Sequence, residues 1–338
     1  MGKILRIAAI GFGRHFRRSL LPNIIGVEQF LLTDVAEVDP ELRKEAELRF
    51  PSLRVHNDAD DCLRAGGFDA VVIATDPRQH VELVRKSFSA GVHVFVEKPL
   101  GTTAAEIDQL ISARPAGVVA MVGTMWRYAG TTSVIRNTLS QRGTDVVIAN
   151  MTASFPSYVH GGSWSLGGRA SAFFEMFVHP IDWLVDMLGD PYRTSAQLVQ
   201  DQPELGRLAV SLLTQHSRGS AALSLATGMS AYQVSAWLGC DDGTVIEMDT
   251  FERVRVTSQP TWSETEGGIR DWPSLHWESG QLHRGWARRG YAEEFRELAA
   301  CIRDHRQPRS DLEAHRKTIA LVAASLRAVD EQCSVELD

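Results

Sequence analysis

Three groups of residues in this 338-residue chain have side chains and spacings suited to chemistry. The run Val94-Phe95-Val96-Glu97-Lys98-Pro99 ends an apolar stretch in a carboxylate, an ammonium and a proline. A charged pair at the mouth of a buried strand is rarely needed for packing, because burying charge is costly unless it is paired or used. Near the start, Ile10-Gly11-Phe12-Gly13 follows an apolar run and opens a helical pattern. There Gly11 permits a tight turn, and Gly13 lets the backbone approach a pyrophosphate seated against a helix N-terminus. Further on, Glu175, His179 and Asp182 fall at i, i+4 and i+7, within one stripe of a helix. Imidazole is the side chain suited to proton transfer near neutral pH. Taken alone, that stripe reads as a salt-bridged helix with a satisfied histidine, and the Gly-x-Gly as a simple turn. Taken together, the three groups describe a hydride-transfer site.

The cofactor half of that reading is Gly11, Phe12, Gly13, Arg14 and His15, with Phe16 standing where a third glycine normally allows close helix–strand packing. At the end of the second apolar strand, Asp34 offers a carboxylate that would accept the ribose hydroxyls and repel a 2′-phosphate. That favours NAD; the basic run Arg14, Arg17, Arg18 leaves NADP open. Thr75, Pro77 and His80 follow the fourth strand, where dinucleotide folds place cofactor loops; for His80 a helix-capping or core position is an equal alternative. No third and fourth ligands at metal spacing accompany the His179 helix, so no metal is expected.

The elements that must position these residues can be read from periodicity. Apolar strands at 4–10, 30–33, 70–75, 93–96 and 118–122 interleave with helices at 40–49, 81–90 and 104–113. Such alternation implies parallel βαβ units and a doubly wound α/β sheet of the Rossmann kind over residues 1–123. After Gly123 the texture changes: a helix at 131–139, a strand at 146–153, a Gly- and aromatic-rich stretch, then a helix at 173–188 stopped by Gly189. Alternating strands at 208–214, 220–226, 232–238 and 245–249, with a hairpin signal at Asp241-Asp242-Gly243, imply a mostly antiparallel open sheet. Residues 124–338 are thus expected to form an α+β domain for substrate and oligomerisation, its two closing helices (292–304 and 312–329) free to pack back on the first domain. The Trp-rich segment 260–290 is too long for an ordinary loop.

Composition narrows the partners. A net charge of −7 and a pI near 5.9 argue against nucleic-acid or anionic-membrane surfaces. The four cysteines are scattered, with no Cys-x-x-Cys, which fits free thiols in a reducing compartment. No run approaches a spanning helix and no signal-peptide core is visible, so a cytoplasmic location is expected.

With these residues in view, the chain resembles the glucose–fructose oxidoreductase/inositol dehydrogenase/rhizopine catabolism (Gfo/Idh/MocA) oxidoreductases over nearly its whole length. Val94 to Leu100 is similar to that family's fifth-strand signature, and Glu175-Met176-Phe177-Val178-His179-Pro180-Ile181-Asp182 to its Asp-x-Gly-x-His-x-x-Asp helix. Tyr291 to Phe295 resembles its closing helix. The resemblance implies an NAD(P)-dependent dehydrogenase of a sugar, polyol or sugar nucleotide, with Lys98 and His179 as the catalytic pair and Glu175 beside them. It also implies a sugar-like substrate met by Lys98, Trp126, Arg127, Trp164, Glu175 and His179, Glu97 and Lys98 shaping the nicotinamide pocket, and a homodimer or homotetramer built through the C-terminal sheet. Glu175, Phe177 and Phe16 depart from the family pattern. They keep two alternatives in play: a sensor that has lost turnover, and a redox-neutral enzyme with tightly held NAD.

Overall fold

The computed structural model describes residues 3–156, 166–258, 274–280 and 289–337. The chain divides into two compact units, Met1–Tyr128 with Gly290–Ile319, and Ala129–Arg289 with Ala320–Asp338.

The first unit is built on a six-stranded sheet in the order β3-β2-β1-β4-β5-β6. Its strands are β1 (Leu5–Ile10), β2 (Phe30–Ala36), β3 (Arg54–His56), β4 (Ala70–Ile73), β5 (His93–Glu97) and β6 (Ala120–Gly123). All of its pairings are parallel. Strands β4 and β6 are buried at every position, as a parallel sheet covered on both faces requires. The helices between them start where the sequence supplies caps. Asp39 accepts from the Glu41 and Leu42 amides at the head of α2 (Pro40–Arg49), and Thr103 with Glu106 forms a capping box on α5 (Ala104–Ala113). Helix α4 (His80–Ser89) lies between them in the chain.

Two elements escape the periodicity. Strand β3 is three half-exposed residues with no apolar run, and α3 (Ala59–Ala65) is recognisable only by its cap, Asp58, which accepts from the Asp61 amide at 2.8 Å. The free edge of β6 is covered rather than open. Val122 donates to the Ser310 carbonyl at 2.8 Å, and the Gln307 amide bonds Val118 and Ala120 at 3.0 and 3.3 Å. Arg127 donates to the Arg309 carbonyl and Tyr128 meets Ser310 at 2.9 Å, so residues 125–128 go with this unit. Helix α9 (Tyr291–Asp304) joins it through Phe295, whose ring lies 4.7 Å from Phe95 and 6.3 Å from Phe30.

In the second unit, nine strands run β14-β13-β12-β11-β7-β10-β9-β8-β15 among the described residues. They are β7 (Val146–Ser154), β8 (Pro191–Gln202), β9 (Arg207–His216), β10 (Gly219–Ala226), β11 (Gln233–Cys240), β12 (Val245–Asp249), β13 (Arg253–Thr257), β14 (Ser274–Glu278) and β15 (Val335–Glu336). Only β7 and β10 pair in parallel; the remainder is antiparallel. One face buries Met151, Leu212, Leu223, Leu238 and Ile246. The opposite face carries Ile148, Asn150, Thr152, Leu213, Ala222 and Ser224, exposed on all of these. The helical layer includes α6 (Gly130–Arg142), the turn α7 (Gly168–Ser171), a π-helical segment (Ala172–Phe177) and α8 (Val178–Leu188). The Trp183 indole donates to Thr132 at 2.9 Å, tying α8 to α6. No helix among the described residues is long and apolar enough to cross a membrane.

Candidate active site

The glycine turn after β1 has the form its residues demand. Gly11 sits at φ +96°, and a Cβ there would lie 2.5 Å from the carbonyl oxygen of Ala74, the residue after β4, so only glycine fits. A Cβ on Gly13 would meet nothing within 4 Å, leaving open space above that peptide. Arg14 and His15 are exposed beside it. Phe12 points inward, its ring 5.9 Å from Phe16 and 6.4 Å from Phe50, and both Phe12 and Phe16 are fully buried. The bulky residue in the third-glycine position coincides with a π-helical segment, Phe16–Leu20, in place of a close α-helical turn.

The end of the second strand, expected at 33 just before Asp34, is a correction. Strand β2 runs on to Ala36, so Asp34 lies inside it, fully buried, opposite Arg54 of β3. His56 bonds its Oδ1 at 2.8 Å, Arg54 its Oδ2 at 3.0 Å and Thr33 its Oδ2 at 2.7 Å. Burial pushes this carboxyl up, but those three bonds outweigh it and hold the group below its ordinary range. The carboxylate that follows the strand end is Glu37. It accepts from the Phe12 amide at 2.7 Å and from the Asp39 amide at 3.0 Å, next to the glycine turn. Sequence reading missed it because β2 was taken to end early; the signal was the Asp39 cap, which fixes where α2 begins. Asp34, His56 and Cys62 bring three metal-type ligand atoms within 4.8 Å of one another. Arg54 occupies the same carboxylate, and burial pushes the Cys62 thiol up to about 12.

At the end of β5 the carboxylate and the ammonium part company. Glu97 is buried, while Lys98 is half-exposed and precedes Pro99 across a cis peptide bond. His15 Nε2 donates to Glu97 Oε1 at 3.0 Å, and the Lys98 amide donates to Oε2 at 3.2 Å. Burial pushes the Glu97 carboxyl up, but the charge and hydrogen bond of His15, with Lys98 behind, hold it below the ordinary range. A second buried carboxyl belongs to Glu294 on α9, both of whose oxygens lack a hydrogen-bond partner among the described residues. Burial, reinforced by the charge of Glu97, raises its pKa well above the ordinary value. Two carboxyls of one core are thus driven apart, Glu97 toward the ionised form and Glu294 toward the protonated one. Thr75 is half-buried and Pro77 buried in the loop after β4, while His80 is buried and bonded to carbonyl oxygens.

Within the second unit, Glu175, His179 and Asp182 are all buried on the helix expected for them. The helix is not uniform: Glu175 lies in the π-helical segment and the other two in α8. Pro180 has no N–H to offer the preceding turn, a local reason for the ladder to change there. Glu175 Oε1 accepts from the Leu166 amide at 3.2 Å. Phe177 lies 5.3 Å from Phe173 and 6.2 Å from Phe155, a core cluster rather than a site wall. Trp126 and Arg127, expected at the substrate, are only 1% and 3% exposed in the first unit, and Trp164 lies outside the described residues. So do Trp262, Trp272 and Trp286, whereas Trp277 of β14 packs against Gly130.

Glu294 gives this site a pH signature. An unfolded glutamate titrates near ~4.3. With the folded value raised, the native state keeps a proton that the unfolded chain sheds, so native stability falls as pH climbs from about 4.3 toward the folded value. Glu294→Gln removes that dependence. Urea midpoints measured between pH 5 and pH 8 should show an advantage of the variant that widens with pH; a constant gap would mean an ionised or solvated Glu294.

Comparison with known proteins agrees with this architecture. Residues 5–124 match the model of the Gfo/Idh/MocA family, described as an oxidoreductase family with an NAD-binding Rossmann fold. An inositol 2-dehydrogenase of Acidiphilium cryptum is 30% identical over 205 residues, 58% of this chain and 57% of that protein. The chain spans about half the length of the curated relatives it matches. Among solved structures, a dehydrogenase from Chromobacterium violaceum superposes with a TM-score of 0.84 at 21% identity, covering 98% of this chain and 97% of that one. An oxidoreductase from Agrobacterium radiobacter, solved with NAD+, L-tartaric acid and magnesium, gives 0.82 at 19% identity over 99% and 98%. At such identities the likeness establishes the fold. Over residues 5–124 the chain is similar to the Gfo/Idh/MocA oxidoreductase family, with its NAD-binding Rossmann fold.

Proposed function

We propose that this protein is an NAD-dependent oxidoreductase acting on a secondary alcohol, or the matching ketone, of a sugar, polyol or sugar nucleotide. The observation that carries the reading is the end of β5, where a buried, ionised Glu97 anchors a half-exposed Lys98 in a 3-2-1-4-5-6 parallel sheet. The inositol 2-dehydrogenase among its relatives supports a polyol-like substrate. The open space above Gly13 and the carboxylate of Glu37 suit a pyrophosphate and a ribose diol. When bound, the nicotinamide supplies or takes the hydride.

In this reading Lys98 donates to the reacting oxygen and stabilises developing alkoxide charge, and His179 takes the hydroxyl proton. Glu175, fully buried, positions His179, and Asp182 fixes the same helix. Phe16 and Phe177 fill cores, so neither favours a sensor without turnover. The face of the second sheet bearing Ile148, Leu213 and Ala222 is read as the contact with a second copy of this chain, because its middle strands β7, β9 and β10 present Ile148, Asn150, Thr152, Leu213, Ala222 and Ser224 there, with the ion pair of Glu247 and Arg255 lying further out on β12 and β13. Ala222→Arg should then lower the mass seen by light scattering; an unchanged mass would exclude that face.

Lys98→Ala and His179→Ala should each fold, bind NADH and lose about 10²–10⁴-fold in kcat on a polyol that the wild type accepts. Because both would serve one step, the double variant should lose little more than the worse single. Multiplied losses, or unchanged turnover in either, would overturn the pairing. Glu37→Ala should raise the Kd for NADH by about 10- to 10²-fold and that for NADPH far less; fluorescence titration measures both, and equal losses would leave Glu37 a merely structural part of the turn.

A further inference from the structure

His80 stands where a cofactor loop was expected, yet it is 1% exposed, and its ring is aimed at backbone rather than at an opening. Its Nδ1 lies 2.9 Å from the carbonyl oxygen of Pro99 and its Nε2 lies 3.2 Å from that of Thr75. The ring therefore bridges the loop after β4 to the residue that follows Lys98. The same short stretch is held from other sides. Glu97 accepts from the Lys98 amide, and the Leu100 amide donates to Nε2 of His315, a neutral ring that burial and nearby Arg127 and His80 pull down to about 3.

Resting on the reading of Lys98 as catalytic, we propose that His80 is a positioning residue for Lys98: its Nδ1–H grips the Pro99 carbonyl and fixes the direction in which the lysine leaves the strand end. The groups facing the ring are Glu97 of β5, Asp76 of its own loop and His315 of the helix Leu312–Glu331. Burial favours the neutral ring and draws its pKa below the ordinary value, against the pull of both carbonyls and both carboxylates. A neutral ring has one proton to give. The shorter and more buried of the two contacts, to Pro99, claims it; the Thr75 contact closes only when a second proton arrives.

Amide side chains test which nitrogen matters, since Asn presents an N–H near the Nδ1 position and Gln one near Nε2. His80→Leu should lower kcat on the order of 10- to 10²-fold, the cost of a small misplacement of a reacting group, with the Kd for NADH within about 2-fold because no cofactor contact is lost. His80→Asn should recover most of kcat and His80→Gln should not. A loss confined to NADH affinity would make His80 a cofactor ligand, and an unchanged kcat in His80→Leu would remove it from the site; either overturns the proposal. Nitrogen-15 spectra of histidine-labelled wild-type protein, assigned by difference against His80→Asn, read the ring without any turnover. A protonated Nδ1 at neutral pH is expected, and a bare Nδ1 sinks the assignment. If Lys98→Ala keeps full activity while Nδ1 is protonated, the catalytic reading has failed and the hydrogen bond has not.

Discussion

A buried carboxylate that must stay ionised governs the first unit. Glu97 lies at the end of a strand with apolar neighbours, where an unpaired charge would cost several kcal/mol of solvation (on the order of the effective penalty for a buried ion). The structure answers with His15 from the glycine turn, by charge and by hydrogen bond, and with the Lys98 amide from the next residue. Each donor belongs to a part of the candidate site. Satisfying Glu97 therefore ties the glycine turn, through His15, to the turn that carries Lys98 at the end of β5. Burial and the charge of Glu97 both push Glu294 toward its uncharged form, since two ionised carboxylates in one core would repel.

The parallel sheet was legible because each of its long strands is apolar on both faces, and the second sheet because its strands alternate. What could not be read was short or charged. Strand β3 has Arg54 and His56 in three residues, and they are there to neutralise Asp34, a purpose visible only once the strands are side by side. Missing β3 and ending β2 at Thr33 were one error. A carboxylate near the end of an apolar run looks like a ribose acceptor until the strand is seen to continue past it and a partner strand is seen to use it up. The carboxylate past the strand end is Glu37, the acceptor in the proposed reading, and the glycine turn itself holds it in place.

The catalytic-type residues fared unevenly for a physical reason. Lys98 and Glu97 stand out in the sequence by type, as charges ending an apolar strand, and that signal survives any detail of packing. Trp126 and Arg127 were placed by resemblance, and the local chain spends them on packing and on the Arg309 carbonyl. Glu294 left almost no trace in sequence. It sits among several glutamates of an amphipathic helix, and only burial separates it from Glu293 beside it, which is exposed and paired with Arg296.

The helical-wheel argument for Glu175, His179 and Asp182 holds only in part, and the exception is instructive. His179 and Asp182 both lie in α8, so their relation is that of neighbours on one helical face. Glu175 belongs to the π-helical segment before it, where the amide of Val178 reaches back to the carbonyl of Phe173. A wider turn inserts one residue into the ladder and rotates everything ahead of it relative to everything behind. A second π-helical segment follows the glycine turn, beginning at Phe16. In both places a large aromatic residue stands where the family pattern has a small one, and in both it is fully buried. Small residues let a helix approach its neighbour closely; a bulky ring demands room, and a widened turn is one way to find it without expelling the polar residues next door. On this argument the departures at Phe16 and Phe177 alter the route of the backbone at the two sites and leave the identities of the chemical groups intact.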